Sequence, residues 1–185
     1  AMDKAAAKTR FIECDLPTPR FSVATPATVD AAVAGWRPPV VVKPVKEGSS
    51  LACSIVRDAA GIRRTVERLL ETYPSCLIEE FIPGREITVG ILGDVGLPPI
   101  EICTPREFYD YAAKYEDEQT EYHLDIDLPS AFLTDLVAMS VRAHRALGCR
   151  DFSRVDWRVH NKTLEPCLLE VNVIPGLTSH SLLPK

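Results

Sequence analysis

Apolar and polar side chains alternate most regularly in the last third of the chain. In the run Phe152 to His160, Val155, Trp157 and Val159 stand between Arg154, Asp156 and Arg158, and Leu164 to Val173 repeats the alternation around Glu170 and Asn172. A period of two marks a strand with one buried face, so the two runs predict a β-hairpin. Earlier, residues 3–14 predict a helix of mixed polarity, ended by the extended segment Leu16-Pro17-Thr18-Pro19. Thr28 to Val33 predicts a short helix with Thr28 as its N-cap, and the β-branched run Pro39 to Lys43 a buried strand. Ala59 to Tyr73 places Ile62, Val66, Leu69 and Leu70 at helical spacing. Strands are expected at Cys76 to Ile82, Glu86 to Leu92 and Ile100 to Cys103, punctuated by Pro83-Gly84 and Gly93-Asp94. Residues 104–129 are polar with little periodicity, as in a functional or a disordered loop. A last helix opens at Pro129-Ser130, runs through Leu133, Leu136, Val137, Val141 and Leu147, and stops at Gly148. Helices and hairpin-linked strands alternating irregularly favour an α+β fold over a doubly wound parallel sheet.

Parity sets the hairpin's chemistry. If Asp156 pairs with Glu170, Arg154 pairs with Asn172, and all four share one face, with Leu169, Val171 and Val173 on the other. Two carboxylates and an amide oxygen are hard ligands of the kind magnesium prefers. Without a cation, Asp156 facing Glu170 is an unfavourable like-charge pair. A solvated face neutralised by Arg154 and Arg158 reads the same residues equally well. The following run, Ile174-Pro175-Gly176-Leu177-Thr178-Ser179-His180-Ser181, stops the strand at Pro175. Gly176 lets backbone N–H groups approach a ligand, and the hydroxyls suit an anion. His180 reads as a structural hydrogen-bonder, and a plain Ser/Thr-rich loop is the alternative for the whole run.

Composition narrows the classes. The 185 residues carry a formal net charge of −5, which argues against a broad nucleic-acid-binding face. Any bound phosphate is therefore expected to meet a few placed Lys and Arg. The six cysteines form no C-x-x-C pair and read as buried, reduced thiols. No membrane span or signal peptide is legible, so a cytoplasmic location is expected. No G-x-G-x-x-G or G-x-x-x-x-G-K-[ST] occurs. Weaker phosphate-side features remain. Lys43 ends a strand shortly before Gly48-Ser49-Ser50, whose N–H groups could close over phosphates. Glu79-Glu80-Phe81-Ile82 closes another strand, where backbone can meet an adenine edge and a carboxylate can meet ribose. Tyr109, Lys114 and Tyr115 lie in the long polar segment, where a water-excluding lid would need them. Taken singly, each reads as readily as a snorkelling lysine, a charged strand edge or a solvated loop.

Taken in order, these segments resemble the D-alanine:D-alanine ligases of the ATP-grasp superfamily: Asp3-Lys4, Val42-Lys43-Pro44, Glu47-Gly48-Ser49-Ser50, Leu77 to Phe81, Glu86 to Gly90, Phe108 to Tyr111, Lys114-Tyr115, Arg154-Val155-Asp156, Leu169 to Asn172, and Pro175 to Ser181. The resemblance implies two α+β lobes with mainly antiparallel sheets enclosing a nucleotide. Residues 1–82 would form the small lobe, and residues 83–185 a large lobe truncated at its C-terminus. The family's N-terminal domain, on the order of one hundred residues, would be absent, so catalysis by this chain alone is not expected.

Roles follow from the resemblance residue by residue. Lys4 and Lys43 would contact phosphates. Ser49 and Ser50 would lie in the phosphate loop, with Ser49 also reaching the substrate pocket. Glu79, Phe81 and Ile82 would form the adenine hinge, and Glu86 would hold the ribose. Lys114 would reach the terminal phosphate, and Tyr109 would line the substrate site. Asp156, Glu170 and Asn172 would hold two magnesium ions, with manganese as a substitute. Arg154 and the Gly176 backbone would stabilise a tetrahedral intermediate, and Ser181 would hold the second alanine's carboxylate. Tyr115 favours an amine over a lactate hydroxyl as the second nucleophile. The implied reaction is ATP-dependent joining of two D-alanines through an acyl phosphate, for peptidoglycan precursors. A different carboxylate–amine ligase, or an ATP-binding module without catalysis, are the competing readings. Some relatives carry Lys where this chain has Glu80. The full-length protein is a candidate homodimer, with neither nucleic acid nor membrane as partner.

Overall fold

The computed structural model describes residues 3–48, 51–104, 119–177 and 181–184. Helix α1 (Lys4–Glu13) is opened by Asp3, whose Oδ1 accepts from the Ala6 N–H at 2.9 Å. It ends where Asp15 takes a positive φ of 52° and the Leu16 N–H turns back to the Phe11 carbonyl at 2.9 Å. Strand β1 (Phe21–Ala24) and helix α2 (Val29–Val33) follow, then β2 (Val40–Pro44), β3 (Ser54–Val56), α3 (Ala59–Leu70) and β4 (Cys76–Glu80). The four strands make an antiparallel sheet in the order β1-β4-β2-β3. Its core joins Val40, Val42 and Ile78 to Ile62, Val66 and Leu69, the apolar stripe of α3. The Asp58 carboxylate caps α3 by accepting from the Gly61 N–H at 2.7 Å.

The second sheet comprises β5 (Gly84–Leu92), β6 (Val95–Gly96), β7 (Ile100–Cys103), β8 (Glu121–His123), β9 (Phe152–His160) and β10 (Pro166–Asn172). Its order is β10-β9-β5-β7-β8, with β6 paired to β5, and every pairing is antiparallel. Helix α4 (Ser130–Ala146) and α1 both contribute to its core, through Leu136 and Ala143 and through Ala7 and Phe11, against Ile87, Val89, Val155, Trp157 and Leu168. The Trp157 indole donates to Ser140 Oγ at 2.8 Å, and that hydroxyl donates to the Leu136 carbonyl at 2.8 Å. Burying Trp157 therefore leaves its N–H satisfied. Gly84 starts β5 at φ +156°, where a Cβ would lie 1.9 Å from the Val159 carbonyl oxygen.

Among the described residues, the four helices and six of the strands fall where the periodicity puts them, with ends shifted by a few residues. Strands β1, β3, β6 and β8 were not anticipated. They are two to four residues long and show no period of their own; pairing to longer strands makes them. Thr28 stands at the N-cap position of α2, yet makes no capping bond there: its Oγ1 accepts from the Thr25 N–H at 3.0 Å. All six cysteines are free, as expected, but only Cys76 is buried and Cys103 is exposed. Among the described residues no helix is long and apolar enough to cross a membrane.

Candidate functional site

Between the two sheets lies a cleft with about 920 Å³ of empty space, open to solvent, lined from both sides. One wall comes from α1, β2 and the end of β4: Lys4, Lys43, Glu79, Phe81 and Ile82. The other comes from the six-stranded sheet: Glu86, Asp156, Arg158, Leu169 and Glu170. Leu51, Cys53 and Ile55 add an apolar patch.

On the sheet wall the hairpin pairs as parity predicts, with Glu170 opposite Asp156 and Asn172 opposite Arg154. The neighbouring strand sets Thr88 opposite Asp156 and Glu86 opposite Arg158. Asp156 is 7% exposed and fully engaged. Its Oδ1 accepts from Thr88 Oγ1 at 2.7 Å and from Arg154 Nε at 2.8 Å, and its Oδ2 from Arg154 Nη2 at 2.8 Å. The guanidinium thus grips the carboxylate in two-pronged fashion and is itself fixed in direction. Arg158 Nη1 lies 3.2 Å from Glu86 Oε2, and its Nε donates to the Ile82 carbonyl at 3.2 Å, tying the wall to the inter-lobe connection.

One expectation for this wall is corrected. The register shifts between Leu168 and Glu170, while Trp157 and Asp156 opposite them are consecutive. The extra residue is Leu169, a β-bulge. Alternation assigned Leu169 to the core face; instead Leu168 is fully buried there and Leu169 lines the cleft beside Glu170.

The lysine wall is built around a buried carboxylate. Glu79 accepts from Lys43 in a short contact, and its other oxygen lies 3.0 Å from Lys8 Nζ. Burial alone pushes the Glu79 carboxyl up, but Lys43 and Lys8 outweigh it and hold it below its ordinary value. Burial works to lower both lysines as well. It prevails at Lys8, whereas at Lys43 the adjoining Glu79 carboxylate overrides it and raises the pKa. Lys4 Nζ donates to the Pro44 carbonyl at 3.3 Å and, in a short contact, to that of Glu47; burial lowers its pKa. Burial also drives the Cys53 thiol up to about 11, so it stays protonated at neutral pH.

Asp156, Glu170 and Asn172 fit a hard divalent cation. They stand on one face of the hairpin, where Arg154 already balances Asp156 and such an ion would balance Glu170 opposite it. The Asn172 amide oxygen is oriented by accepting from the Ile174 N–H at 3.2 Å. Among the described residues no cluster of three or more His, Cys, Asp or Glu occurs elsewhere or here, so the amide oxygen is integral to the set. Gly176 lies close to Ser181: a Cβ there would meet Ser181 Oγ at 2.5 Å. Ser49, Ser50, Tyr109, Lys114 and Tyr115, with Thr178, Ser179 and His180, lie outside the described residues.

Sequence reasoning overlooked Lys8 and Thr88. Lys8 follows Lys4 by one helical turn, so the two share a face of α1; that spacing was the available signal. Thr88 is two residues from Glu86 on β5, on the same face.

With this geometry in place, residues 15–185 match the family described as D-ala D-ala ligase C-terminus. A D-alanine–D-alanine ligase of Geobacter sulfurreducens is 42% identical over 186 residues, covering 100% of this chain and 58% of the relative. The crystal structure of D-alanine–D-alanine ligase from Bacillus anthracis superposes with a TM-score of 0.82 at 35% identity, covering 99% of this chain and 60% of that one. Its complex with ATP gives 0.79 at 30% identity, over 99% and 58%. The chain thus spans 58–60% of the length of these relatives.

Proposed function

This chain belongs to the D-ala D-ala ligase C-terminus family and has the ATP-grasp fold, and on that footing we propose that its inter-sheet cleft binds Mg-ATP for the joining of two D-alanines. One observation carries the reading: a single cleft sets the ammonium groups of Lys4 and Lys43 across from the oxygen-donor hairpin. Polyphosphate with a divalent cation matches both walls at once. Similarity to a relative crystallised with ATP supports the nucleotide.

In this reading the small lobe spans residues 1–82 and the large lobe residues 83–185, with α1 packed into the core of the large lobe's sheet. Lys4 and Lys43 meet the phosphates, joined by Ser49, Ser50 and Lys114. Glu79, Phe81 and Ile82 take the adenine and Glu86 the ribose. Asp156, Glu170 and Asn172 would hold magnesium, which supplies charge neutralisation at the phosphates. The first D-alanine's carboxylate oxygen attacks the terminal phosphorus; the acyl phosphate forms and ADP leaves. The second D-alanine's neutral amine then attacks the acyl carbon. The C–O bond to phosphate breaks, inorganic phosphate departs, and the amine's proton passes to solvent or phosphate. Arg154, held in direction by Asp156, and the Gly176 N–H face the oxyanion that develops. Tyr109, Tyr115 and Ser181 would position the two alanines.

The chain spans 58% of its relative's length, so nucleotide binding is proposed for this chain and ligation for a protein of the relatives' full length that contains it. Calorimetry of the chain with Mg-ATP tests the nucleotide claim. Glu170→Gln is expected to weaken Mg-ATP binding about ten-fold while leaving adenosine binding unchanged. No ATP binding by the parent chain, or an indifferent Glu170→Gln, refutes the site. For a protein of that full length, phosphate release that does not depend on D-alanine refutes the substrate.

A further inference from the structure

Lys8 has no place in the roles above, yet its side chain is 1% exposed, less than that of any other charged residue in an ion pair among the described residues. Such burial is costly without compensation. It does not line the cleft. Its ammonium meets Glu79 at 3.0 Å and donates to Thr18 Oγ1 at 2.7 Å, and that hydroxyl donates to the Leu168 carbonyl at 2.8 Å. Leu168 immediately precedes the bulge that turns Leu169 and Glu170 to the cleft.

The charge count at Glu79 matters. One carboxylate is shared by two ammoniums, and only Lys43 of the two faces the cleft. Were Lys43 the sole partner of Glu79, the pair would be neutral toward a ligand. With Lys8 behind it, the cluster keeps one surplus positive charge, and the cleft side is where it is felt. Cys53 beside Lys43 stays neutral and does not cancel it.

We propose that Lys8 is a positioning residue: by taking half of the Glu79 carboxylate from behind, it leaves Lys43 with net positive charge to present to the phosphates of a nucleotide. The inference rests on the nucleotide reading of the cleft and deepens it.

The test compares phosphate-bearing and phosphate-free ligands by calorimetry on the whole chain. Lys8→Met and Lys8→Gln are each expected to weaken Mg-ATP and Mg-tripolyphosphate binding about ten-fold, as expected for losing one charge a few ångströms behind the contact. Adenosine binding should stay within about two-fold, because Phe81 and Ile82 are untouched and Glu79 keeps its bond to Lys43. The glutamine variant keeps a polar amide that can hydrogen-bond Thr18, so it separates charge from structure. If it binds Mg-ATP like the parent, or if adenosine and ATP weaken together, the proposal is overturned. The pair Lys8→Met with Glu79→Gln removes both opposite charges and should return tripolyphosphate affinity to within about three-fold of the parent; failure to recover also overturns it. Should Lys8→Met not fold in a thermal melt, Lys8→Gln decides. A parent chain that does not bind Mg-ATP refutes the nucleotide reading itself and this inference with it, whereas a parent that binds and Lys8 variants that bind equally refute only the inference.

Discussion

Replacing Glu79 by glutamine probes the buried charge cluster most directly. The side chains involved are 3% exposed at Glu79, 1% at Lys8 and 13% at Lys43. The substitution keeps shape and a hydrogen-bonding oxygen but leaves two ammoniums facing each other with no carboxylate. Breaking a buried ion pair by removing one partner costs about 3–5 kcal/mol. Lys43 borders the cleft and can turn toward water, so the low end, about 3 kcal/mol, is expected. For a chain of this length that corresponds to a melting temperature lowered by about 6–12 °C. The pH dependence has a definite sign. Lys43 and Lys8 hold Glu79 below its ordinary value near 4.5, so its contribution is complete above that pH and is lost as pH falls through the folded value. The parent–variant gap should therefore be full at neutral pH and narrow in acid. Thermal melts followed by circular dichroism, on both proteins across acid and neutral buffers, measure it. A variant within about 2 °C of the parent at neutral pH, or a gap that widens in acid, would refute the reasoning.

Two further outcomes are expected. Gly84→Ala places a Cβ against the Val159 carbonyl at a backbone angle that L-residues avoid, so β5 and β9 must separate locally; a loss of about 3 kcal/mol in urea unfolding is expected, and a change below about 1 kcal/mol would contradict the close approach. Trp157→Ala empties a fully buried site and strips Ser140 Oγ of its indole donor, for a loss of about 3–5 kcal/mol in the same assay.

How far the site was legible depended on the range of each interaction. Strand side chains alternate whatever lies opposite, so the alternation along 152–173 put Arg154, Asp156, Glu170 and Asn172 on one face, and the ladder bears this out. Helix spans were legible for the same local reason: Ile62, Val66 and Leu69 recur at the period of one turn. Alternation failed at Leu169, because a bulge changes parity and is specified by the fit of two strands rather than by one.

By itself, then, the sequence determined which residues face together within each element, and the order of family segments along the chain. Tertiary structure alone decided which of these faces meet. Lys8 reads as one more charge on a helix of mixed polarity. It becomes buried because Ala7 and Phe11 draw α1 into the core of one sheet while Glu79 arrives from a distant strand of the other. Periodicity carries no record of such a contact, since the two charges are far apart in the chain and become adjacent only after folding.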